Sequence, residues 1–466
     1  MKFNHTSYVK ITIQIEENEW DIGEQELFEL VIRKNKKRSF LFASTVLGKY
    51  IAVHPYRSML VNMILAEVFK QQVEKIEPEV SSKLRMKDLL KAFRTIPSEE
   101  TFRRLNNAHY ELNEKTLFIG FAETATALGH GMFSQFKGNC TYLHTTRMPI
   151  VSETPTLFFE EEHSHAVSHT CYVREIETLD DFERIVLVDD EITTGKTALN
   201  LIRKLTHQTN SKEFVVMSLL DWRSGEDHIL YERLEEELGI RIQCISLLKG
   251  MLTVEMLKDM EAIKLNNEKI EWLEEDMNLE NWDDEIHNSR EQQTWDEIFM
   301  PIDESITLEV KGQDQVLRKQ AFMKKATGRF GLTAEENIIF EERAFAIGNK
   351  LAKHRRYQSC LCLGTEEFIY LPCLIASTMG ENVKFECSAR SPIITIDEMG
   401  YAIKDAICFE NPEDRALLSY IYNLEGKHYE EVFWFLERNV CDTFKESICK
   451  AFEARGIKAV HFVICT

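Results

Sequence analysis

The chain has 466 residues, more than one ordinary hydrophobic core holds, so we expect two domains joined by a linker. Its 56 Lys and Arg residues against 77 Asp and Glu residues give a net charge of −21, which opposes binding to nucleic acid and to anionic membranes. Because no apolar run reaches the length of a membrane span and the N-terminus lacks a signal-peptide core, we expect a cytoplasmic protein whose 11 scattered cysteines are reduced thiols.

Strand-like and helix-like segments alternate through the first part of the chain, which we take as a domain of residues 1–265. The alternation predicts a parallel sheet with helices on both faces. The predicted strands are 8–16, 39–44, 116–120, 141–144, 185–188 and 214–221, and the predicted helices are 27–33, 59–73, 124–133 and 198–205.

A change of composition marks the predicted linker, residues 266–309. Residues 271–304 contain 13 acidic residues and a single basic one, Arg290. Such a charge run is typical of a solvated linker. The three tryptophans within it (Trp272, Trp282 and Trp295) favour the alternative of an ordered docking segment, and both interpretations stay open.

The remainder, residues 310–466, has a second α/β pattern that repeats features of the first. The predicted strands are 359–363, 382–387, 432–436 and 457–464, with a helix at 368–379. Two sets of residues align at offsets of 244 and 243: Gly120 and Glu123 with Gly364 and Glu367, and Arg147, Pro149 and Ile150 with Arg390, Pro392 and Ile393. We interpret the repeat as a tandem duplication whose second copy lost the phosphate loop described next; coincidence between two α/β domains is the alternative.

The most informative segment is residues 185–197. Four apolar residues are followed by Asp189 and Asp190, then by a Thr- and Gly-containing loop, and then by a helix. That order predicts a buried strand, a turn at its carboxyl end, and a helix N-terminus facing the turn. Main-chain N–H groups of residues 193–197 would bind one phosphate, and the two carboxylates would hold vicinal hydroxyls or Mg²⁺. A sugar with a 5′-phosphate and free 2′ and 3′ hydroxyls fits this arrangement.

A Walker A loop is the obvious competitor, because Gly195-Lys196-Thr197 resembles the end of that motif. The motif requires glycine where this chain has Asp190, and a carboxylate there would repel a triphosphate. We therefore reject it; an ordinary turn between strand and helix is the remaining alternative.

Segment 189–197 resembles the ribose-phosphate loop of type I phosphoribosyltransferases, which use phosphoribosyl pyrophosphate (PRPP). More specifically, the chain resembles bacterial phosphoribosyltransferases of tellurite-resistance and stress gene clusters that carry a C-terminal TRSP domain. In the segment that matches the Thr-Arg-Ser-Pro motif, Ala389 replaces the threonine. The segments that carry the resemblance are 35–49, 120–125, 144–147, 159–165, 364–372 and 388–392.

The resemblance implies roles for individual residues. Asp189 and Asp190 would hold the ribose hydroxyls, with Mg²⁺ bound there directly or indirectly. The 5′-phosphate would lie against Thr193, Thr194, Gly195, Lys196 and Thr197. By order along the chain, residues 121–124 would contact pyrophosphate through their main-chain N–H groups and the Thr124 hydroxyl. A carboxylate repels pyrophosphate unless it holds Mg²⁺ or a sugar hydroxyl, so the alternative for Glu123 is a negative charge that stabilises the start of a helix.

Three further cations complete the predicted site. In the family a lid brings cations to the leaving group, and Arg147 is the best candidate to stabilise departing pyrophosphate, with a surface ion pair as the alternative. His165 is the candidate catalytic histidine of a cluster with His163 and His169, which could instead bind zinc. Lys49, in the most cationic stretch of the chain, would attract PRPP, with a solvated basic turn as the alternative.

The predicted function is Mg²⁺-dependent transfer of a phosphoribosyl group from PRPP to an unidentified acceptor, with release of pyrophosphate, in a stress-linked pathway of nucleoside-like metabolites. Many purine-salvage relatives have aspartate where this chain has Thr193, which favours an acidic or amine acceptor. The alternatives are a non-catalytic sensor of PRPP or nucleotides and a scaffold of a stress-response complex. We also predict a second site at Gly364, Glu367 and Arg390; a homodimer and partner enzymes from the same gene cluster are left open.

Overall fold

The structure is a computed structural model. It describes residues 2–4, 9–35, 39–74, 80–159, 169–174, 176, 178–256, 269–273, 295–412 and 414–466. None of the helices in these ranges has the length and hydropathy that a membrane crossing requires.

The first half of the chain forms one large sheet and its flanking helices. Its described strands are β1 (Lys2–Asn4), β2 (Val9–Glu17), β3 (Phe28–Ile32), β4 (Phe40–Ser44), β5 (Tyr110–Gly120), β6 (Phe136–His144), β7 (Leu157–Phe159), β8 (His169–Cys171), β9 (Arg184–Ile192), β10 (Glu213–Asp221) and β11 (Arg241–Met256). Its described helices are α1 (Glu24–Leu27), α2 (Pro55–Gln72), α3 (Val80–Thr95), α4 (Glu99–Asn106), α5 (Ala125–Phe133), α6 (Lys196–Leu205) and α7 (Gly225–Leu238).

Five parallel strands form the centre of this sheet, in the order β11-β10-β9-β5-β6. The central segments 116–120 and 184–188 are buried along their whole length, as strands covered on both faces must be. Strand β2 adds to β11 in the antiparallel direction. The predicted parallel sheet is thereby confirmed, and its carboxyl edge is where ligands bind in folds of this kind.

One predicted helix is wrong. Of residues 27–33, predicted to be helical, only Leu27 is in a helix, and residues 28–32 form strand β3, which pairs with β4 in an antiparallel hairpin. The run Leu30-Val31-Ile32 includes two β-branched residues, and such residues favour strands once a partner strand is available. The hairpin places Phe28 and Phe42 against Trp222, which follows β10.

The second half forms a smaller parallel sheet. One face of it packs in a core of its own, and the other face packs in the core that includes the first half. Its described strands are β12 (Ile270–Trp272), β13 (Trp295–Phe299), β14 (Ser305–Lys311), β15 (Leu317–Met323), β16 (Leu332–Thr333), β17 (Cys360–Gly364), β18 (Val383–Cys387), β19 (Ala406–Asn411), β20 (Asp414–Tyr422), β21 (Glu431–Leu436) and β22 (Ala459–Ile464). Its described helices are α8 (Ala334–Ala352), α9 (Tyr370–Ala376) and α10 (Asp442–Glu453).

The second sheet has the order β13-β22-β21-β17-β18, and all of its strands are parallel. This confirms the predicted second α/β domain. Part of the segment predicted as a linker belongs to it, because β12 pairs with β19 and β13 pairs with β22. His461 on β22 contacts Asp296 on β13 through one ring nitrogen and Glu431 on β21 through the other, and it thereby links the three strands. Trp282 of the predicted linker lies outside the described residues.

Main-chain hydrogen bonds join the two halves. Val53 and Phe385 exchange N–H···O bonds of 2.8 Å, the N–H of Cys387 donates to the carbonyl of Gly48, and the N–H of Ile394 donates to the carbonyl of Ile32. Gly48 has a φ of +71°, and a Cβ atom there would lie 2.7 Å from the Phe385 ring. Residues 32, 48 and 53 of the first half are therefore fixed against strand β18 and the residues that follow it.

Candidate active site

The acid pair lies at the carboxyl end of β9, on the central strand of the first sheet. Asp189 and Asp190 are both partly exposed, and the N–H of Asp190 donates to the Asp189 carboxylate at 2.9 Å. Val188, one residue earlier, pairs with Gly120 on β5, which pairs in turn with His144 on β6. Neighbouring strands lie about 4.8 Å apart. The segments after these three strands therefore meet at one edge of the sheet.

Loop 193–197 follows the acid pair and leads into α6. Gly195 is the residue before the helix and has a left-handed backbone, with a φ of +72°. In the described part of the chain the N–H groups of Thr193, Thr194, Gly195 and Thr197 donate no hydrogen bond, and all four residues are partly exposed. Unused N–H groups at a helix N-terminus form a binding site for an anion, and phosphate is the anion that such a turn commonly binds.

Tyr231 on α7 fixes the shape of this loop. Its hydroxyl donates to the carbonyl of Gly195 at 2.9 Å, and its ring is buried. A Cβ atom on residue 195 would lie 2.3 Å from the Tyr231 hydroxyl oxygen. Glycine is therefore required here both by the positive φ and by the closeness of the ring. No sequence pattern indicated this role for Tyr231, which lies 36 residues away.

Loop 121–124 lies beside the acid pair, after β5. The N–H of Ala122 donates to the hydroxyl oxygen of Thr145 at 2.8 Å, and that hydroxyl also contacts Nδ1 of His169 at 2.9 Å. The N–H groups of Glu123 and Thr124 donate no hydrogen bond among the described residues. This loop offers a second pair of N–H donors at the same sheet edge. Thr145, which holds it, was not predicted from the sequence.

The structure gives Lys49 and the Glu123 side chain a different role from the predicted one. Lys49 is fully buried and contacts the Glu123 carboxylate at 3.1 Å, the carbonyl of Glu366 at 2.9 Å and that of Ser388 at 2.7 Å. An ammonium group has three N–H donors, so these three partners use all of them. The prediction that Lys49 binds PRPP is therefore corrected: in this arrangement Lys49 joins the two halves.

The charges around Glu123 keep it ionised. Burial by itself raises the pKa of Glu123, but Lys49, Arg390 and Arg147 outweigh burial and lower that pKa to about 2. Arg390 also binds Glu366 through Nε at 2.8 Å. From the sequence we expect the Glu123 carboxylate to repel pyrophosphate. In the structure, cations from both halves of the chain balance its charge.

Of the residues predicted to belong to the lid, the structure describes Arg147 and His169. The N–H of Arg147 donates to Glu367 at 2.8 Å, and the side chain lines a cavity of about 220 Å³ between the two halves, together with Arg390. His169 is buried against Thr145. His163 and His165, like the basic residues 36–38, lie outside the described residues.

In the second half, strand register identifies the residues that correspond to the acid pair. Leu363 pairs with Trp434 as Ile119 pairs with Leu187, so Leu436 and Glu437 stand where Asp189 and Asp190 stand in the first half. Glu437 is buried and binds Arg329 through two contacts of 2.7 and 3.0 Å. A buried ion pair therefore occupies the place of a ligand site.

The predicted second site is also involved in contacts within the chain. Glu367 accepts hydrogen bonds from the Thr146 hydroxyl at 2.6 Å and from the Arg147 N–H. Gly364 has no room beside it for a ligand, because a Cβ atom on this residue would lie 2.7 Å from the carbonyl oxygen of Phe368. The structure thus brings Gly364, Glu367 and Arg390 together, but at the boundary between the halves.

Asp189 and Asp190 fit a Mg²⁺ ion chemically. Mg²⁺ is usually held by one or two carboxylates together with waters and substrate phosphates, rather than by a cage of protein ligands. The two adjacent, partly exposed carboxylates match this donor set. No group of three or more His, Cys, Asp or Glu side chains suited to a metal occurs within the described ranges.

A parallel sheet with an acid pair and two anion-binding loops at its carboxyl edge defines a sugar-phosphate-binding α/β protein. Comparison with family models identifies the family. A model described as phosphoribosyl transferase matches residues 27–251, and a model described as TRSP domain C terminus to PRTase_2 matches residues 326–452. The chain belongs to this family of phosphoribosyltransferases with a C-terminal TRSP domain.

Similar solved structures include two adenine phosphoribosyltransferases. The enzyme from Trypanosoma brucei, in complex with AMP, pyrophosphate and ribose-5-phosphate, is 16% identical over 37% of this chain and 68% of its own, with a TM-score of 0.23. The enzyme from Leishmania tarentolae is 17% identical over 37% of this chain and 75% of its own, with a TM-score of 0.21. A search of curated proteins found no match.

Proposed function

We propose that the first half of the chain transfers the phosphoribosyl group of PRPP to an acidic or amine acceptor. The observation that carries the proposal is the acid pair at the end of β9 followed by loop 193–197. Four N–H groups of this loop donate no hydrogen bond among the described residues, those of Thr193, Thr194, Gly195 and Thr197. This segment offers acceptors for the two ribose hydroxyls and donors for the 5′-phosphate on consecutive residues.

The reaction breaks the bond between C1′ and the pyrophosphate oxygen, and pyrophosphate leaves with the electron pair. The acceptor forms the new bond to C1′ and loses its proton. Positive charge develops on the sugar during this exchange, and the carboxylates of Asp189 and Asp190 favour it electrostatically. Loop 193–197 fixes the phosphate end of the donor and loop 121–124 its pyrophosphate end, so catalysis is mainly positioning.

Asp189 and Asp190 are the residues that would hold Mg²⁺, which when bound supplies positive charge against pyrophosphate. Arg147 is proposed as the residue that stabilises the leaving group, since a guanidinium binds phosphate oxygens through two N–H groups. Thr193, where an aspartate would act as a base toward a purine, supports the acidic or amine acceptor. The stress-linked pathway, the cytoplasmic location and the partner enzymes are proposals that rest on the family resemblance.

The test is release of pyrophosphate from PRPP in the presence of Mg²⁺ and panels of bases, amines and carboxylic acids. We expect turnover with one acceptor class, and loss of turnover in Asp190→Asn. The matched control is Asp88→Asn, which changes an exposed aspartate on α3. PRPP binding without turnover across all panels would instead favour the PRPP sensor, and absence of PRPP binding would contradict both functions.

A further inference from the structure

The two halves have the same strand order and register. The order β10-β9-β5-β6 of the first sheet is repeated as β22-β21-β17-β18 in the second, with all strands parallel. Gly120 pairs with His144 as Gly364 pairs with Cys387. Different strand orders would have contradicted a duplication, and they do not occur.

The loops at the carboxyl edges are held by matching hydrogen bonds. The hydroxyl oxygen of Thr145 accepts from the N–H of Ala122, and that of Ser388 accepts from the N–H of Glu366 at 3.2 Å. The offsets within these two pairs, 243 and 244, are those found in the sequence. Ala389, Arg390 and the residues around them therefore correspond to Thr146, Arg147 and their neighbours.

Contacts between the halves are reciprocal. Arg390 of the second half lies 3.8 Å from the Glu123 carboxylate of the first, and the N–H of Arg147 in the first half donates to Glu367 of the second. The Thr126 hydroxyl lies between the two loops: it donates to the carbonyl of Glu123 at 2.8 Å, and its oxygen is 3.3 Å from the carbonyl oxygen of Glu367. Equivalent positions thus meet from both sides, as they do across a two-fold dimer interface, although Arg390 uses its guanidinium and Arg147 its main-chain N–H group.

The helices extend this reciprocity. Helix α2 precedes the first core strand of its half and contacts β18 of the other half, whereas α8 precedes β17 and contacts β6. At the centre of the boundary, His130 on α5 stacks on Tyr370 on α9, with ring centroids 3.9 Å apart. The arrangement of the halves thus resembles that of two subunits.

One departure from the symmetry concerns the loop proposed to bind pyrophosphate. Thr146 donates its hydroxyl to Glu367, but the equivalent Ala389 has no hydroxyl to offer Glu123. Glu123 is instead bound by the Lys49 ammonium group and faces the Arg390 guanidinium. Glu367 in the second half thus has a neutral hydroxyl donor, whereas Glu123, in the half that has the acid pair and loop 193–197, has cations instead.

We propose that the second half takes the place of a partner subunit, and that its Arg390 is a positioning residue for loop 121–124. Arg390 and Lys49 hold the Glu123 side chain in the boundary, so that the N–H groups of Glu123 and Thr124 remain available to pyrophosphate. This inference rests on the proposed function of the first half. It assigns the TRSP domain a role in PRPP binding without a PRPP site of its own.

Removal of Arg390 takes away one of the cations that balance Glu123. Lys49 and Arg147 then balance the Glu123 carboxylate less completely, and its remaining negative charge repels pyrophosphate. At a distance of several ångströms the loss of one positive charge corresponds to about a 10- to 100-fold lower PRPP affinity. The effect depends on the charge of residue 123. It should therefore largely vanish when Glu123 is replaced by glutamine.

The experiment is a double-mutant cycle in the full-length chain. PRPP affinity is measured by calorimetry for the wild type, Arg390→Met, Glu123→Gln and the double variant, and thermal unfolding is recorded for each. Arg390→Lys tests whether a cation rescues binding. The matched control is Arg455→Met, which removes an arginine that pairs with Glu271 on another face of the second half.

We expect Arg390→Met to lower PRPP affinity about 10- to 100-fold in the wild-type background and less than threefold in the Glu123→Gln background, with partial rescue by Arg390→Lys. We expect Arg455→Met to leave PRPP affinity unchanged. Equal losses in both backgrounds, or no loss in either, would overturn the positioning role while leaving the proposed function intact. A wild-type chain that does not bind PRPP would instead show that the proposed function itself has failed.

Discussion

Replacing Gly195 by alanine tests whether the geometry of loop 193–197 determines phosphate binding. The left-handed backbone costs an L-residue about 1–2 kcal/mol. The new Cβ atom would lie 2.3 Å from the hydroxyl oxygen of Tyr231, which is buried and cannot move away freely. Displacing the ring would also cost the hydrogen bond to the Gly195 carbonyl, about 0.5–1.5 kcal/mol. Together these two terms cost the loop about 1.5–3.5 kcal/mol.

If the loop must keep its native shape to bind phosphate, this penalty appears as lost affinity. Each 1.4 kcal/mol is a factor of ten, so Gly195→Ala should weaken PRPP binding by about 10- to 300-fold. Calorimetric titration with PRPP measures the affinity, and thermal unfolding measures the stability of the same samples.

Two other glycines of the first half are matched controls. Gly239 has a positive φ of +60° with open space around it, so Gly239→Ala carries the backbone strain alone. Gly225 has neither a positive φ nor a close neighbour, so Gly225→Ala should change stability little. Both controls should bind PRPP like the wild type. Unchanged PRPP affinity in Gly195→Ala would refute the reasoning.

Three predictions concern other sites. Glu437→Leu breaks a buried ion pair and should destabilise the chain by about 3–5 kcal/mol in chemical denaturation, with PRPP affinity unchanged; lost affinity would place a PRPP site in the second half. Burial lowers the pKa of His461, but the carboxylates of Asp296 and Glu431 outweigh burial and raise that pKa to about 9. The stabilising effect of the charged histidine is therefore complete below pH 6.5 and lost as the pH rises through 9, so the difference in melting temperature between the wild type and His461→Gln should shrink over that interval. Burial raises the pKa of Glu341 to about 7, so its stabilising effect as a neutral group is complete below pH 4.5 and lost as the pH rises through 7. Glu341→Gln should therefore gain stability relative to the wild type over that range, and parallel pH profiles of the two proteins would contradict the assignment.

The local parts of the site could be predicted from the sequence. A buried strand, an acid pair, a Thr/Gly turn and a helix follow one another within residues 185–205, so neighbouring residues determine the geometry. The repeat was equally visible, because equivalent residues such as Gly120 and Gly364 stand at a nearly constant offset. Short-range pattern and internal similarity were sufficient for these features.

Features that depend on how the halves meet could not be predicted. Lys49 has its partners at Glu123, Glu366 and Ser388, up to 339 residues away, and nothing near Lys49 in the sequence indicates them. Strand β3 was predicted as a helix because its hairpin partner β4, rather than its own periodicity, decides its conformation. Tertiary contacts outweighed local pattern in both cases.

The central claim is that the chain has one PRPP site, in the first half. Calorimetric titration of the full-length chain with PRPP and Mg²⁺ tests it most directly, because the titration gives both affinity and stoichiometry. The account predicts one PRPP per chain, binding abolished in Asp190→Asn and binding preserved in Glu437→Leu. Two equivalents of PRPP per chain, or binding that survives Asp190→Asn but not Glu437→Leu, would contradict it.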